Sequence, residues 1–223
     1  MNGFTNGTLL NKFLEAGYIA VPSRQVYVFD GKENALHIMK HHNNIIDTKL
    51  LRDGRYSFVE NADFKDGDFE RLERLYNLLY LEKYSKLNPQ YSAQWLRQGH
   101  RDGWLVLRGL RAQNGQIEGV VGWFGSSSVL SSPVVGYNTS LPAKEGLYRR
   151  LTQMCIHEAI KRKCVLNFSS GAAGFKRLRG GVPQIEFSMV YVKHLPILNQ
   201  LMWKILTSIL WAIAVPLLKV FRL

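Results

Sequence analysis

The sequence predicts an α+β fold, a mixed and mostly antiparallel twisted sheet flanked by helices. Three stretches predict it. Residues 68–79 carry Phe69, Leu72, Leu75, Tyr76 and Leu79 at spacings of three and four, which makes one apolar helical face. Residues 104–110 and 118–124 flank Asn114-Gly115, a dipeptide that accepts φ > 0 readily, and so form a β-hairpin. Residues 133–171 then alternate strand, glycine turn, helix and strand, a parallel junction within an antiparallel order.

Taken in order, residues 9–16 form a short helix and residues 18–29 a strand that Pro22 interrupts. A helix over about 32–42 follows, and residues 43–51 carry the chain onward. One strand and two short helices cannot bury a core alone, so residues 1–60 must pack on something else. Asp68 caps the helix described above, and Asn88-Pro89 ends it. A second helix runs through Tyr91, Trp95 and Leu96. After the hairpin, Gly125-Ser126-Ser127-Ser128 turns the chain into a strand over 129–137. A helix from Gly146 to about Lys161 leads to a strand at 165–169, a short helical or looped piece, and a last strand at 185–192.

The tail, 195–223, differs in character. Pro196 suits a first helical turn, and 14 uncharged residues lie between Lys204 and Lys219. That run is shorter than the roughly 20 residues that span a bilayer. Trp203 and Trp211, flanked by Lys204, Lys219 and Arg222, suit an apolar C-terminal helix lying in a headgroup region, with Pro216 kinking it. Docking on protein is the other reading of the same helix.

The net charge is +12, and it is unevenly spread. Lys144, Arg149, Arg150, Lys161, Arg162, Lys163, Lys176, Arg177 and Arg179 face only Glu145 and Glu158 over residues 144–179. Such density favours a phosphate-bearing ligand, a nucleic acid, an acidic carrier protein or an anionic membrane face. Cys155 and Cys164 have no metal spacing and are expected to be reduced packing residues of a cytoplasmic protein; no metal is expected. No basic stretch precedes an early apolar run, so no secretory signal is expected.

A helix that starts at a glycine beside cations is a ready anion site, because its first amides are unpaired and its dipole favours negative charge. Lys144, Arg149 and the amides of Gly146 and Leu147 are the expected holders of a phosphate. Val135, Gly136 and Tyr137 on one strand and Ser169 on the next would flank the rest of a long donor. Tyr137 and Tyr148 are the best-positioned proton donors, and Lys176 would hold a second phosphate or a carboxylate. Each has a plainer alternative. Gly146 can simply start a helix, Arg149-Arg150 can be an exposed flank, Ser169-Ser170-Gly171 can be turn chemistry, and the tyrosines can be packing residues. His157 is expected on the outer face of its helix; Glu60, on a strand entering the domain, could act as a base through water but is expected to be a structural carboxylate. Arg24, in the first 60 residues, could line a cleft between the two halves of the chain.

The order of elements from Asp68 to Val192 resembles the GNAT acyltransferase fold, and its details resemble the FemAB-like branch. That branch carries a Phe-Lys pair, followed by glycine, after the fifth strand; here these are Phe175-Lys176 and Gly180-Gly181. The segment Glu145-Gly146-Leu147-Tyr148-Arg149-Arg150-Leu151 stands where GNAT proteins have their pyrophosphate loop, with fewer glycines than usual. Phe175 stands near the place of the tyrosine that protonates the leaving thiolate in many GNAT enzymes, as in the FemAB-like branch. The resemblance implies a GNAT-like domain over 61–194, with 1–60 as the trailing remnant of a first such domain. It implies transfer of an acyl group from acyl-CoA (acetyl-CoA or longer) or an acyl carrier protein to a small-molecule amine acceptor, in envelope or lipid-linked metabolism. Two alternatives stand beside it: an aminoacyl-tRNA-dependent transferase of the FemAB type, and an inactive membrane-associated remnant. The expected place is the cytoplasm, peripherally on the inner membrane face through residues 196–223.

Overall fold

The structure is a computed structural model that describes residues 7–32, 35–125 and 127–221. Glu33 and Asn34 of the predicted second helix, Ser126 of the predicted turn and Arg222 beside the tail lie outside the described residues. In chain order the elements begin with α1 (Thr8–Glu15), β1 (Tyr18–Asp30), α2 (Ala35–Met39), α3 (His42–Leu51) and β2 (Tyr56–Val59). Then come α4 (Phe69–Asn77), continued by a π-helical stretch over Leu78–Tyr84, α5 (Ala93–Arg101), β3 (Val106–Ala112), β4 (Ile117–Gly125) and β5 (Val129–Tyr137). The last are α6 (Leu147–Arg162), β6 (Val165–Asn167), α7 (Ala173–Arg177), β7 (Val182–Tyr191), α8 (Ile197–Ile209) and α9 (Val215–Phe221), the final two joined by a π-helical stretch over Leu210–Ala214.

The chain forms two compact units, residues 29–167 and residues 1–28 with 168–223. In the first unit the strands lie in the order β2-β3-β4-β5-β6, antiparallel except for the parallel β5–β6 pair. This is the mixed, mostly antiparallel sheet that the sequence predicts. One face carries the core under α4 and α5, where Leu72, Leu75, Leu96, Leu105, Leu107, Val120 and Val134 are all buried. Each such side chain contributes roughly 1.5–3 kcal/mol. Ser92 caps α5 by accepting from the Trp95 amide at 3.2 Å, and Tyr76 donates to the Pro89 carbonyl at 2.8 Å.

The opposite face is covered by α6, and α3 packs on α6 in turn. Residues 43–51, which the sequence left without a structure, are that helix. His157 is therefore half-buried rather than on an outer face, within 3.5 Å of Thr48 Oγ1 and 3.3 Å of Gln153 Nε2. Burial, with Arg52 and Arg108 nearby, lowers its pKa. The strand expected at the entry to the domain, beside Glu60, is the four-residue β2; it pairs with β3 from Tyr56↔Ala112 to Val59↔Gly109.

In the second unit β1 pairs antiparallel with β7 from Tyr18↔Tyr191 to Val28↔Val182. The register shifts between Pro22 and Arg24, an irregularity that lets a proline sit inside a strand. The tail is one apolar helical run over Ile197–Val220, 24 residues with mean hydropathy 1.9, long and apolar enough to cross a membrane by length and composition. The 14-residue span counted from the sequence is thus too short, because the helix runs through Lys204. Pro216 lacks an amide and crowds the preceding turn, and the wider π turn over Leu210–Ala214 relieves that conflict. The Trp211 ring lies 5.6 Å from that of Phe187, and Val215 is buried, while most of the run is exposed.

Candidate functional site

Regular pairing stops at the junction of β5 and β6. The two strands share three residue pairs, Val129↔Val165, Leu130↔Leu166 and Ser131↔Asn167. Among the described residues β5 then runs on without a strand on that side as far as Tyr137. Against β4, Phe124 faces Ser131 and Gly122 faces Val134, so β5 carries one extra residue at Ser132–Pro133. Proline cannot donate to a ladder, and a bulge is where a sheet accommodates it. The strands accordingly part after Ser131 and leave a wedge along the far half of β5.

Val135 and Tyr137 lie on the α6 face of β5, whereas Gly136 faces α4. A Cβ at Gly136 would lie 2.5 Å from the backbone nitrogen of Tyr76, so this glycine allows a close helix crossing. Its expected role in holding a donor gives way to a packing role.

At the start of α6, Gly146 has φ 61° and ψ 31°, a left-handed conformation suited to glycine, and a Cβ there would meet Leu50 Cδ2 at 2.6 Å. Glu145 accepts from Arg55 Nη1 and from the Tyr56 hydroxyl, both at 3.1 Å. Arg150 is fully buried. Its guanidinium binds Asp53 at 2.6 and 2.9 Å, donates to the Glu145 carbonyl at 2.9 Å and to the Leu50 carbonyl, and lies over the Tyr56 ring. The Arg150 and Arg55 hydrogen bonds hold the Asp53 carboxyl far below the usual range. Arg149 is not free for a phosphate either, since its Nε donates to the buried Asp47 at 2.6 Å. Of the expected phosphate holders, the exposed Lys144 and the Leu147 amide remain, since the Gly146 amide donates to the Ala143 carbonyl at 3.0 Å.

Four tyrosines gather beside the wedge. The Tyr137 and Tyr148 ring centroids are 6.3 Å apart, and Tyr80 and Tyr84 come from the π-helical stretch after α4 with centroids 6.2 Å apart. Lys83 Nζ stands 5.9 Å from the centroid of Tyr137 and 6.0 Å from that of Tyr84. Burial raises the Tyr148 pKa, helped by Tyr80 and Tyr84. Burial pushes Tyr80 up to about 12. Both hydroxyls stay protonated across the neutral range. Sequence reasoning missed Tyr80, Lys83 and Tyr84, although Tyr76, Tyr80 and Tyr84 recur every fourth residue. Cys155 is buried, with Sγ 3.7 Å from Ser132 Oγ, and burial pushes its thiol up to about 12, which suits packing rather than nucleophilic chemistry. Glu60 pairs with Arg108 at 2.9 Å, a structural contact.

In the second unit Lys176 is the centre of a buried polar cluster. Only 4 % exposed, its ammonium donates to the carbonyls of Ser170 at 2.6 Å and Ser169 at 3.1 Å. Burial, with Arg24 nearby, lowers its pKa to about 8. The loop beneath it holds Ser169, Gly171 and Ala172 at φ of 62°, 76° and 49°, a concentration of left-handed backbone that costs free energy at the two non-glycine positions. Arg24 pairs with the buried Glu186 at 2.7 Å and reaches Ser170 Oγ at 3.5 Å. Phe175 lies under the Arg179 guanidinium, whose central carbon is 3.5 Å from the ring centroid. Gly181 closes the loop by donating its amide to the Lys176 carbonyl at 2.9 Å; a Cβ there would meet that same oxygen at 2.9 Å. The glycine after the Phe-Lys pair is thus required by the return of the chain over Lys176. Among the described residues no group of three or more His, Cys, Asp or Glu could hold a metal ion.

No protein-family model matches the chain, and no curated protein matches it. Solved structures do. The chain is similar to FemX, with TM-score 0.62 and 8 % identity over 88 % of this chain and 70 % of that one. It is similar to L-PGS from Bacillus licheniformis, with TM-score 0.59 and 13 % identity over 86 % and 67 %. It is also similar to the C-terminal domain of a provisionally named lysylphosphatidylglycerol synthetase from Agrobacterium fabrum, with TM-score 0.56 and 11 % identity over 91 % and 69 %. At these identities the likeness is one of fold, and the fold is the GNAT-type, FemAB-like fold that the sequence resembles.

Proposed function

We propose that the chain is an aminoacyltransferase that moves an amino acid from its ester on a tRNA to an amine acceptor held at a membrane surface. The observation that carries this reading is the parting of β5 from β6 after Ser131, beside the start of α6. Support for an aminoacyl donor comes from Arg149 and Arg150, which Asp47 and Asp53 engage, so that few cations remain at the helix start for a coenzyme pyrophosphate. The likeness to FemX and to a lysylphosphatidylglycerol synthetase domain supports the same choice. The tail helix supports the membrane location, because its exposed face is apolar.

In this reading the acceptor nitrogen attacks the ester carbonyl carbon. A C–N bond forms, negative charge moves to the carbonyl oxygen, and backbone amides on the open edge of β5 near Val135–Tyr137 donate to it. The C–O bond to the ribose then breaks. Tyr148, protonated at neutral pH, gives its proton to the departing oxygen, and the tyrosinate so formed takes one from the nitrogen, which restores the hydroxyl. Tyr137 orients Tyr148.

A second reading keeps acyl-CoA as donor, favoured by the left-handed Gly146 with the exposed Lys144 next to it. Both are tested together. The purified chain is incubated with liposomes bearing amine headgroups and either tRNA charged with labelled amino acids or an acyl-CoA panel. Label passing from tRNA to lipid, and lost in Tyr148→Phe, supports the first reading. Thiol release from CoA without tRNA turnover supports the second, and neither reaction ends both.

A further inference from the structure

Within the unit of residues 29–167 a shallow groove lies at the end of the sheet where β5 begins. It is lined by Trp95, Trp104, Val106, Trp123, Phe124 and Arg162. Three indoles and a phenyl ring on one groove are more aromatic surface than a sheet edge needs. Trp95 and Trp104 meet edge to face, with centroids 5.0 Å apart. Trp104 and Phe124 remain 41 % and 42 % exposed. Trp123 is the opposite case: it is 1 % exposed, the Arg108 guanidinium lies 5.6 Å from its ring centroid, and its indole N–H has no hydrogen-bond acceptor among the described residues. Trp123 therefore forms the floor, and the rings that a visitor meets are those of Trp104 and Phe124.

The charge around the groove narrows the ligand. Arg162 lines it, and the exposed Lys161 and Lys163 flank Arg162 at the end of α6. Cations there also complement the helix dipole, but Arg162 is turned to Glu158 at 2.5 Å beside the groove wall. A lipid chain would match the rings and gain nothing from the cations. A neutral sugar would stack on the rings and ignore the charge. An unpaired nucleotide meets both: its base stacks on indole, and its phosphate faces Arg162 and the exposed Lys161 and Lys163.

The groove is not the acyl-transfer wedge. Phe124 pairs with Ser131, and Tyr137 lies six steps along β5 from Ser131, roughly 20 Å of strand. That distance suits two contacts on one large donor.

We propose that this groove binds unpaired nucleotides of an RNA by stacking, as a second holdfast for the donor; the inference rests on the reading of that donor as aminoacyl-tRNA. The test is fluorescence anisotropy with the full chain and a labelled, uncharged 12-nucleotide single-stranded RNA at low and physiological salt. Wild type is expected to bind, more weakly as salt rises, with duplex RNA and a neutral oligosaccharide binding at least tenfold less well. Trp104→Ala and Phe124→Ser are each expected to weaken binding about tenfold or more. Because Trp104 also packs on Gly99, Arg162→Gln at an exposed site is the second variant; it should weaken binding and lower the log–log salt slope by about 1. Variants that bind as wild type does, or equal binding of duplex or sugar, overturn the groove. Failures are separable. Transfer from aminoacyl-tRNA with an unchanged KM in these variants sinks the groove alone, whereas groove-dependent RNA binding without any aminoacyl transfer sinks the donor reading alone.

Discussion

The Arg150 guanidinium, wholly inside the protein, holds the Asp53 carboxylate at 2.6 Å across 97 residues of sequence. This pair joins the start of α6 to the segment that follows α3. Replacing Arg150 by Met removes the ion pair and leaves the Leu50 and Glu145 carbonyls without their donor. We expect a loss of about 3–5 kcal/mol in urea unfolding. Asp53 has a depressed pKa in the folded state, so its contribution is present above the unfolded carboxylate range and is lost as pH falls below it. The acid branch of the stability curve should therefore be flatter in the variant than in wild type.

Tyr148→Phe removes a proton donor and keeps the ring beside Tyr137. A fall in kcat of about 10²-fold or more is expected, with KM little changed. Retained kcat would assign protonation of the leaving group elsewhere.

Lys176 has a pKa lowered to about 8 by burial. The unfolded chain binds more protons between about 8 and the ordinary lysine value, so this lysine makes the fold more stable as pH climbs through that window. Lys176→Met should remove that gain, which thermal melts at pH 8 and 10 would reveal.

Gly136→Ala forces a methyl group onto the α4 backbone at Tyr76, where nothing flexible can yield. We expect about 1–3 kcal/mol of destabilisation in urea. Gly174→Ala in α7 meets no atom within 4 Å and should be neutral or slightly stabilising. Equal effects at the two sites would show that the helix crossing is looser than its geometry indicates.

What the sequence revealed was local chemistry. Asn114-Gly115, the glycine start of α6 and the Phe175-Lys176 loop each declare themselves within a few neighbouring residues. The roles of Arg149 and Arg150 were hidden, because Asp47 and Asp53 lie about a hundred positions away and α3 had no strong pattern of its own. Gly136 looked like a ligand contact beside Val135 and Tyr137; only the crossing of α4 assigns it to packing. The tryptophan groove draws on α5, the start of β3, β4 and α6, so no window of sequence contains it. Tyr80 and Tyr84 were visible as a repeat, but their turn toward β5 depends on the π-helical stretch that carries them.

Pro133 gives the wedge a particular permanence. The gap between β5 and β6 begins at a covalently missing amide and an extra residue, not at a side chain able to swing aside. Under the proposed transfer, the donor would meet an opening cut by the main chain, with no rotamer to turn before it enters.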